Sequence, residues 1–126
     1  MKTNTILFWI TTVLVALVAL GGGIMDIIAN EEVLAAITGL GFPEYFARPL
    51  GIFKVLGSIA ILIPGFYRIK EWAYAGLSFD FIWAVIAHGS NGDEMGQVLF
   101  PLIPLALLLA SYFLYHRRKA DAGEWY

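Results

Sequence analysis

Four apolar runs divide this chain, and their length decides what it can fold into. They extend over about Thr5 to Ile28, Phe46 to Phe66, Trp72 to His88 and Gln97 to Tyr115. A bilayer core of about 30 Å takes about 20 residues of helix. Lipid offers no water to a free peptide group, so runs of this length must be helical. The predicted fold is an all-α integral membrane protein, a bundle of four transmembrane helices. It occupies one domain, residues 1–126, with a polar tail over 116–126. The composition agrees, being 60% hydrophobic and 14% charged, against about half and about a quarter in soluble domains.

The first run opens as "MKTNTILFWITTVLVALVALGGG", a basic residue followed by apolar ones, as a secretory signal does. It is longer than the roughly 7–15 residues of a signal's apolar region, and no small-x-small site follows it. It is expected to be a retained span.

Basic residues in short connections set orientation. Lys2 lies at the N-terminal end, Arg68 and Lys70 between the second and third runs, and Arg117, Arg118 and Lys119 after the fourth. The other two connections hold Arg48 against Glu31, Glu32, Glu44, Asp93 and Glu94. Both termini are therefore expected in the cytoplasm. Tyr67, Trp72, Tyr74, Tyr112 and Tyr115 then fall near the inner interface, where amphipathic rings favour the headgroup level. Between the first two spans, "NEEVLAAITGLG" predicts a short amphipathic helix lying at the outer interface. Asn30 is its N-cap, and Glu31 and Glu32 suit the positive end of its dipole. Val33, Leu34, Ile37 and Leu40 share one face. This helix either tethers the spans or covers an outward cavity.

Many chemistries are excluded. With no cysteine there are no thiol nucleophiles, disulfides or cysteine-ligated clusters. The two histidines, His88 and His116, fall at opposite faces of the membrane and cannot share a metal or a haem. No basic patch suits nucleic acid. No catalytic motif, intrinsic cofactor or metal set is expected.

The remaining signal is charge inside the apolar runs. A lysine at the centre of a membrane helix costs about 2.5–3.5 kcal/mol on insertion scales, so such groups face protein and are partnered. Lys54 lies about eight residues into the second span, roughly 12 Å below its outer end. Asp80 lies about eight residues before His88 on a span of opposite direction, at the same depth. Gly51, Gly57 and Ser58 flank Lys54 on its helical face, and Gly76, Trp83 and Ala84 flank Asp80. Small residues let membrane helices approach closely, so these are packing faces and a Lys54–Asp80 pair is expected. Asp26, beyond "GGG" at 21–23, is a second partner if the lysine extends outward. The candidate ligand-contacting set is Lys54, Asp80, Trp83, His88 and Asp26. The alternatives are a purely structural pair, a snorkelling lysine, or a proton relay, for which nothing continues the path inward. The glycine run is read as a packing or kinking segment. Pro101 and Pro104 fall early in the fourth helix, where their missing donors do least harm. Lys70 and Glu71 are placed at the wet inner interface.

The segments "LGFPEYFARPLGIFKVLGSIAILIP" and "KEWAYAGLSFDFIWAVIAH", with Gly92–Asp93, make the chain resemble the DoxX-like family of small four-helix bacterial membrane proteins. The resemblance runs from the first helix to the fourth. Many relatives carry a lysine near the end of helix one, where this chain has "GGGIMDI". The resemblance implies a bundle in the bacterial cytoplasmic (inner) membrane. It also implies a non-catalytic accessory or assembly subunit of a membrane complex, one linked to quinone. The alternative is a small binder or enzyme for an apolar ligand, a quinone or lipid, with its polar site around Lys54 and Asp80. Expected partners are the bilayer and other membrane subunits or further copies of the chain.

Overall fold

A computed structural model describes residues 2–63 and 67–121. The end expected for the second span, Phe66, and the tail beyond 121 lie outside the described residues. Helices α1 (Lys2–Ile28), α2 (Glu31–Gly39), α3 (Ala47–Leu62), α4 (Tyr67–Ser90), α5 (Met95–Leu99) and α6 (Leu102–Asp121) follow one another, with a 3-10 turn at Glu44–Phe46. The four long helices pack in a ring, α1 against α3 and α6, and α4 against the same two.

Each long helix turns one narrow stripe inward. On α1 the stripe is Phe8, Thr12, Val15, Ala16, Ala19 and Gly23, spaced by three and four as one helical face requires. The rest of the apolar surface points out, with Phe53 72%, Phe79 70% and Phe113 69% exposed. An apolar exterior around a core that mixes large apolar residues with small and polar ones such as Ala16, Ala19, Thr12, Ser58 and Ser111 is the pattern of a lipid-facing bundle. By length and composition, Thr3–Ile28, Glu44–Leu62 and Met95–Arg117 are able to cross a membrane. The protein is a membrane protein, with three such helices among the described residues. The expected third span, α4, is as long but less apolar, because Lys70, Glu71, Asp80 and His88 lie along it.

The local punctuation has clear causes. Ala29 closes α1 in the left-handed conformation, φ 52°, which costs a residue with a Cβ about 1–2 kcal/mol. The next residue, Asn30, then caps α2, its Oδ1 accepting from the Val33 amide at 2.9 Å. Ile37 is the buried residue of α2. The fourth span is not continuous from Gln97: the helical run breaks at Phe100–Pro101, since a proline supplies no amide and crowds the preceding turn. Helix α6 also extends past Tyr115, through residues expected to be tail.

At the end holding the N-terminus of α1, the core is polar and aromatic. Ser111 Oγ bonds the Thr12 hydroxyl at 2.5 Å and the Tyr74 hydroxyl at 2.7 Å, joining α1, α4 and α6. Lys70 was expected in a wet interface; it is buried, donating to the carbonyls of Ala60 at 2.9 Å and Ile61 at 3.2 Å. An ammonium is favoured there because the last carbonyls of α3 lack helical partners and carry the negative end of its dipole. Of the tyrosines expected near the inner interface, two turn into the bundle. Tyr74 and Tyr115 are buried and stack at 5.9 Å, and Tyr112 donates to Glu71 at 2.9 Å. Phenol oxygens with partners inside the bundle draw their rings inward. Trp72, by contrast, is 82% exposed.

Candidate functional site

The site begins where α1 and α3 cross. A Cβ on Gly23 would lie 2.9 Å from the Gly51 carbonyl oxygen and 2.9 Å from Lys54 Cβ. A Cβ on Gly51 would collide with the Gly23 carbonyl oxygen and lie 2.8 Å from the Ile27 nitrogen. Only glycine permits this approach. Helix α1 stays helical through 21–23, and Gly23 in that run is the packing contact with α3. The run is also the bed of the lysine: Lys54 Nζ lies 3.7 Å from where a Gly22 Cβ would be.

One turn beyond the crossing on each helix, three charges meet. Lys54 Nζ donates to Asp26 Oδ2 at 3.2 Å and pairs with Asp80 Oδ2 at 3.6 Å. The three side chains are 19%, 14% and 17% exposed. The expected pair is thus one arm of a triad, and Asp26 is the closer partner. The tight crossing decides this, because it brings Asp26 of α1 beside the lysine stem. Ser58 Oγ donates to the Lys54 carbonyl at 2.7 Å.

The triad borders a groove of about 830 Å³ between α3 and α4. Ile69 and Trp72 line one end, and Phe42, Phe46 and His88 the other. Phe42 and Phe46 stack at 4.8 Å, and Phe42 lies 6.5 Å from Trp83. Ile37 of α2 and Leu40, just past its end, also reach it. All five candidate residues, Asp26, Lys54, Asp80, Trp83 and His88, line this one groove. Its walls are otherwise apolar, with Gly76 leaving room beside the charges. Among the described residues, no group of three or more His, Asp or Glu is placed to hold a metal ion. The arrangement can hold an amphiphile, body along the walls and head at the triad.

His88 is oriented by a residue not foreseen. Its Nδ1–H donates to Asp93 Oδ2 at 2.6 Å, and Asn91 Nδ2 donates to Asp93 Oδ1 at 2.8 Å. The left-handed Gly92, φ 76°, turns the loop back over the helix end. Hydrogen bonding from His88 first, and from Asn91 second, holds the Asp93 carboxyl below the usual carboxylate range. A carboxyl lowered by folding stabilises above its unfolded pKa of about 3.9, and that contribution is lost as pH falls through the lower folded value. Protection of the Asp93 amide, which bonds the His88 carbonyl, should therefore hold from about pH 7 to about pH 5 and fall below roughly pH 4. Asp93→Asn should remove this step; hydrogen exchange reads both.

A family model described as the DoxX-like family matches residues 10–111, a range that includes the triad, Trp83, His88 and Asp93. No curated protein and no solved structure is matched by the chain.

Proposed function

The chain belongs to the DoxX-like family, and from that premise we propose that it is a non-catalytic membrane protein that holds an apolar ligand of lipid or quinone size in the groove between α3 and α4. The observation that carries this reading is an 830 Å³ apolar groove with its charged residues gathered at one level. Pockets for small molecules commonly have this form, apolar walls with a few convergent polar groups. In this reading α4 crosses the bilayer as the fourth span, both termini are cytoplasmic in a bacterial inner membrane, and α2 lies at the outer interface. The charges on α4 are tolerated because Lys70 and Asp80 face partners inside the bundle rather than lipid.

A second reading, an accessory or assembly subunit of a quinone-linked membrane complex, is favoured by the groove rim. Phe53, Phe79 and Trp72 are largely exposed there, and a partner helix would cover them as readily as a ligand would. Purification in mild detergent separates the two. A binder carries a lipid or quinone identifiable by mass spectrometry and melts higher when that molecule is added; a subunit carries a stoichiometric partner chain. A lone, ligand-free oligomer counts against both.

Gly76→Phe is the sharpest variant. A Cβ at Gly76 meets nothing within 4 Å, and Gly76 lines the groove. The phenyl ring should obstruct the groove beside the triad while the fold persists, since replacing an exposed helical glycine also recovers about 0.5–1 kcal/mol of backbone entropy. The expected result is an unchanged or slightly higher melting temperature with the bound molecule and its ligand-dependent shift both gone.

A further inference from the structure

We infer that the groove selects an amphiphile whose head carries a single positive charge, a protonated amine on an apolar body; this rests on the ligand-binding reading above and narrows it. The reasoning is a charge count. The site holds two carboxylates, Asp26 and Asp80, and one ammonium, Lys54. Among the described residues no other basic side chain lies within ion-pairing distance of either carboxylate. Arg48, the next cation along α3, instead donates from Nε to the Ile27 carbonyl at 3.2 Å. With both carboxylates ionised the site carries one negative charge in excess, within apolar walls where an uncompensated charge is costly.

The sharing is also uneven. Lys54 is hydrogen-bonded to Asp26, whereas Asp80 stands at 3.6 Å, beyond a good hydrogen bond. Asp80 is thus the underused acceptor. It lies on the groove wall, one turn from Trp83, whose ring faces add attraction for a cation. A protonated amine placed there completes the charge balance. An anionic head adds a second excess negative charge, and a neutral head leaves the first uncompensated. From Asp80 towards Trp72, α4 runs roughly 12 Å past Leu77, Gly76 and Ala73, all lining the groove, which suits an alkyl body of medium length.

The test uses the full chain in nanodiscs of zwitterionic lipid, titrated with dodecylamine, dodecanol and dodecanoate at neutral pH. Tryptophan emission is the readout, and Trp83→Phe identifies the responding ring. We expect the amine to bind about tenfold more tightly than the alcohol, with the carboxylate weakest. Asp80→Asn should remove the amine's advantage and leave the alcohol unchanged. Asp26→Asn, which frees Lys54 to neutralise Asp80, should do the same and serves if Asp80→Asn does not fold. Equal binding of amine and alcohol, both abolished by Gly76→Phe, overturns the charge selectivity and keeps the groove as a binding site; a proton on one carboxylate would produce that result. Tightest binding by the carboxylate also overturns it. Binding of all three probes that Gly76→Phe leaves untouched overturns both readings.

Discussion

Lys54→Met should lower the stability of the folded chain by about 3–5 kcal/mol, the cost of removing one member of a buried ion pair. The ammonium lies between two carboxylates, at 3.2 Å and 3.6 Å, with all three side chains less than one-fifth exposed. Its removal leaves Asp26 and Asp80 facing each other in apolar surroundings without a counter-charge. Methionine matches the lysine stem, so packing over Gly22 and Gly23 is largely kept and the loss reports charge. The triad makes a graded rescue. Adding Asp80→Asn should recover part of the loss, because Asp26 remains unpaired. Adding Asp26→Asn as well should recover most of it, since a neutral site of similar volume is often as stable as an ion pair. Melting of the purified protein in one detergent, across the four chains, reads the series. A triple variant as unstable as Lys54→Met would mean that charge is not the cause.

Gly51→Leu should be the most disruptive of the glycine substitutions. Its first side-chain atom would overlap the Gly23 carbonyl oxygen and crowd the Ile27 nitrogen and Asp26 Cβ. Two of these are backbone atoms, so no rotamer relieves the contact and α1 must move from α3. Inserting bulk into a packed core typically costs about 1–3 kcal/mol. Here the separation also loosens the Lys54–Asp26 bond and the packing that small residues provide between membrane helices. Gly57→Ala supplies the intermediate case: its Cβ meets Leu77 side-chain atoms at 3.3 Å, which can shift. A Cβ at Gly76 meets nothing within 4 Å. The expected order of melting temperature is Gly76→Phe highest, then Gly57→Ala, then Gly51→Leu. If Gly51→Leu melts with the parent chain, the close crossing is not what holds α1 to α3.

The two variants bear on the same part of the molecule from different directions. The crossing places Asp26 next to Lys54, and the triad then anchors α4 to α1 through α3. A groove can persist between α3 and α4 because the bundle is held elsewhere: by the glycine crossing on one side, and by Thr12, Ser111 and Tyr74 at the far end. Lys70, capping α3 through Ala60 and Ile61, ties the foot of α4 to α3 below the groove.

Several features were legible residue by residue. Counting along antiparallel helices put Lys54 and Asp80 at one depth, and the small neighbours of each turned both inward; the 3.6 Å separation agrees. Asn30 was readable as a cap because the chemistry is local. Asp26 as the nearer partner was not readable, because a lysine side chain reaches in several directions and the crossing point of α1 and α3 chooses among them. Lys70 was misplaced for a related reason. Its position near a helix start suggests water, yet the last turn of α3 presents the Ala60 and Ile61 carbonyls to it. Asp93 carries no periodic signal, and only the turn at Gly92 brings it to His88.

What this sequence determined alone was the class of solvent and the period of the chain. Runs of about 20 apolar residues demand helices whose peptide groups are satisfied within each segment, and charges within those runs must face inward. These demands act along the chain, and a reader of the chain can apply them. The tertiary structure decided which inward charges meet, which glycines touch, and where space remains. Those depend on contacts of a few ångströms between helices distant in sequence, and the apolar period is nearly indifferent to how one helix is rotated or crossed against another.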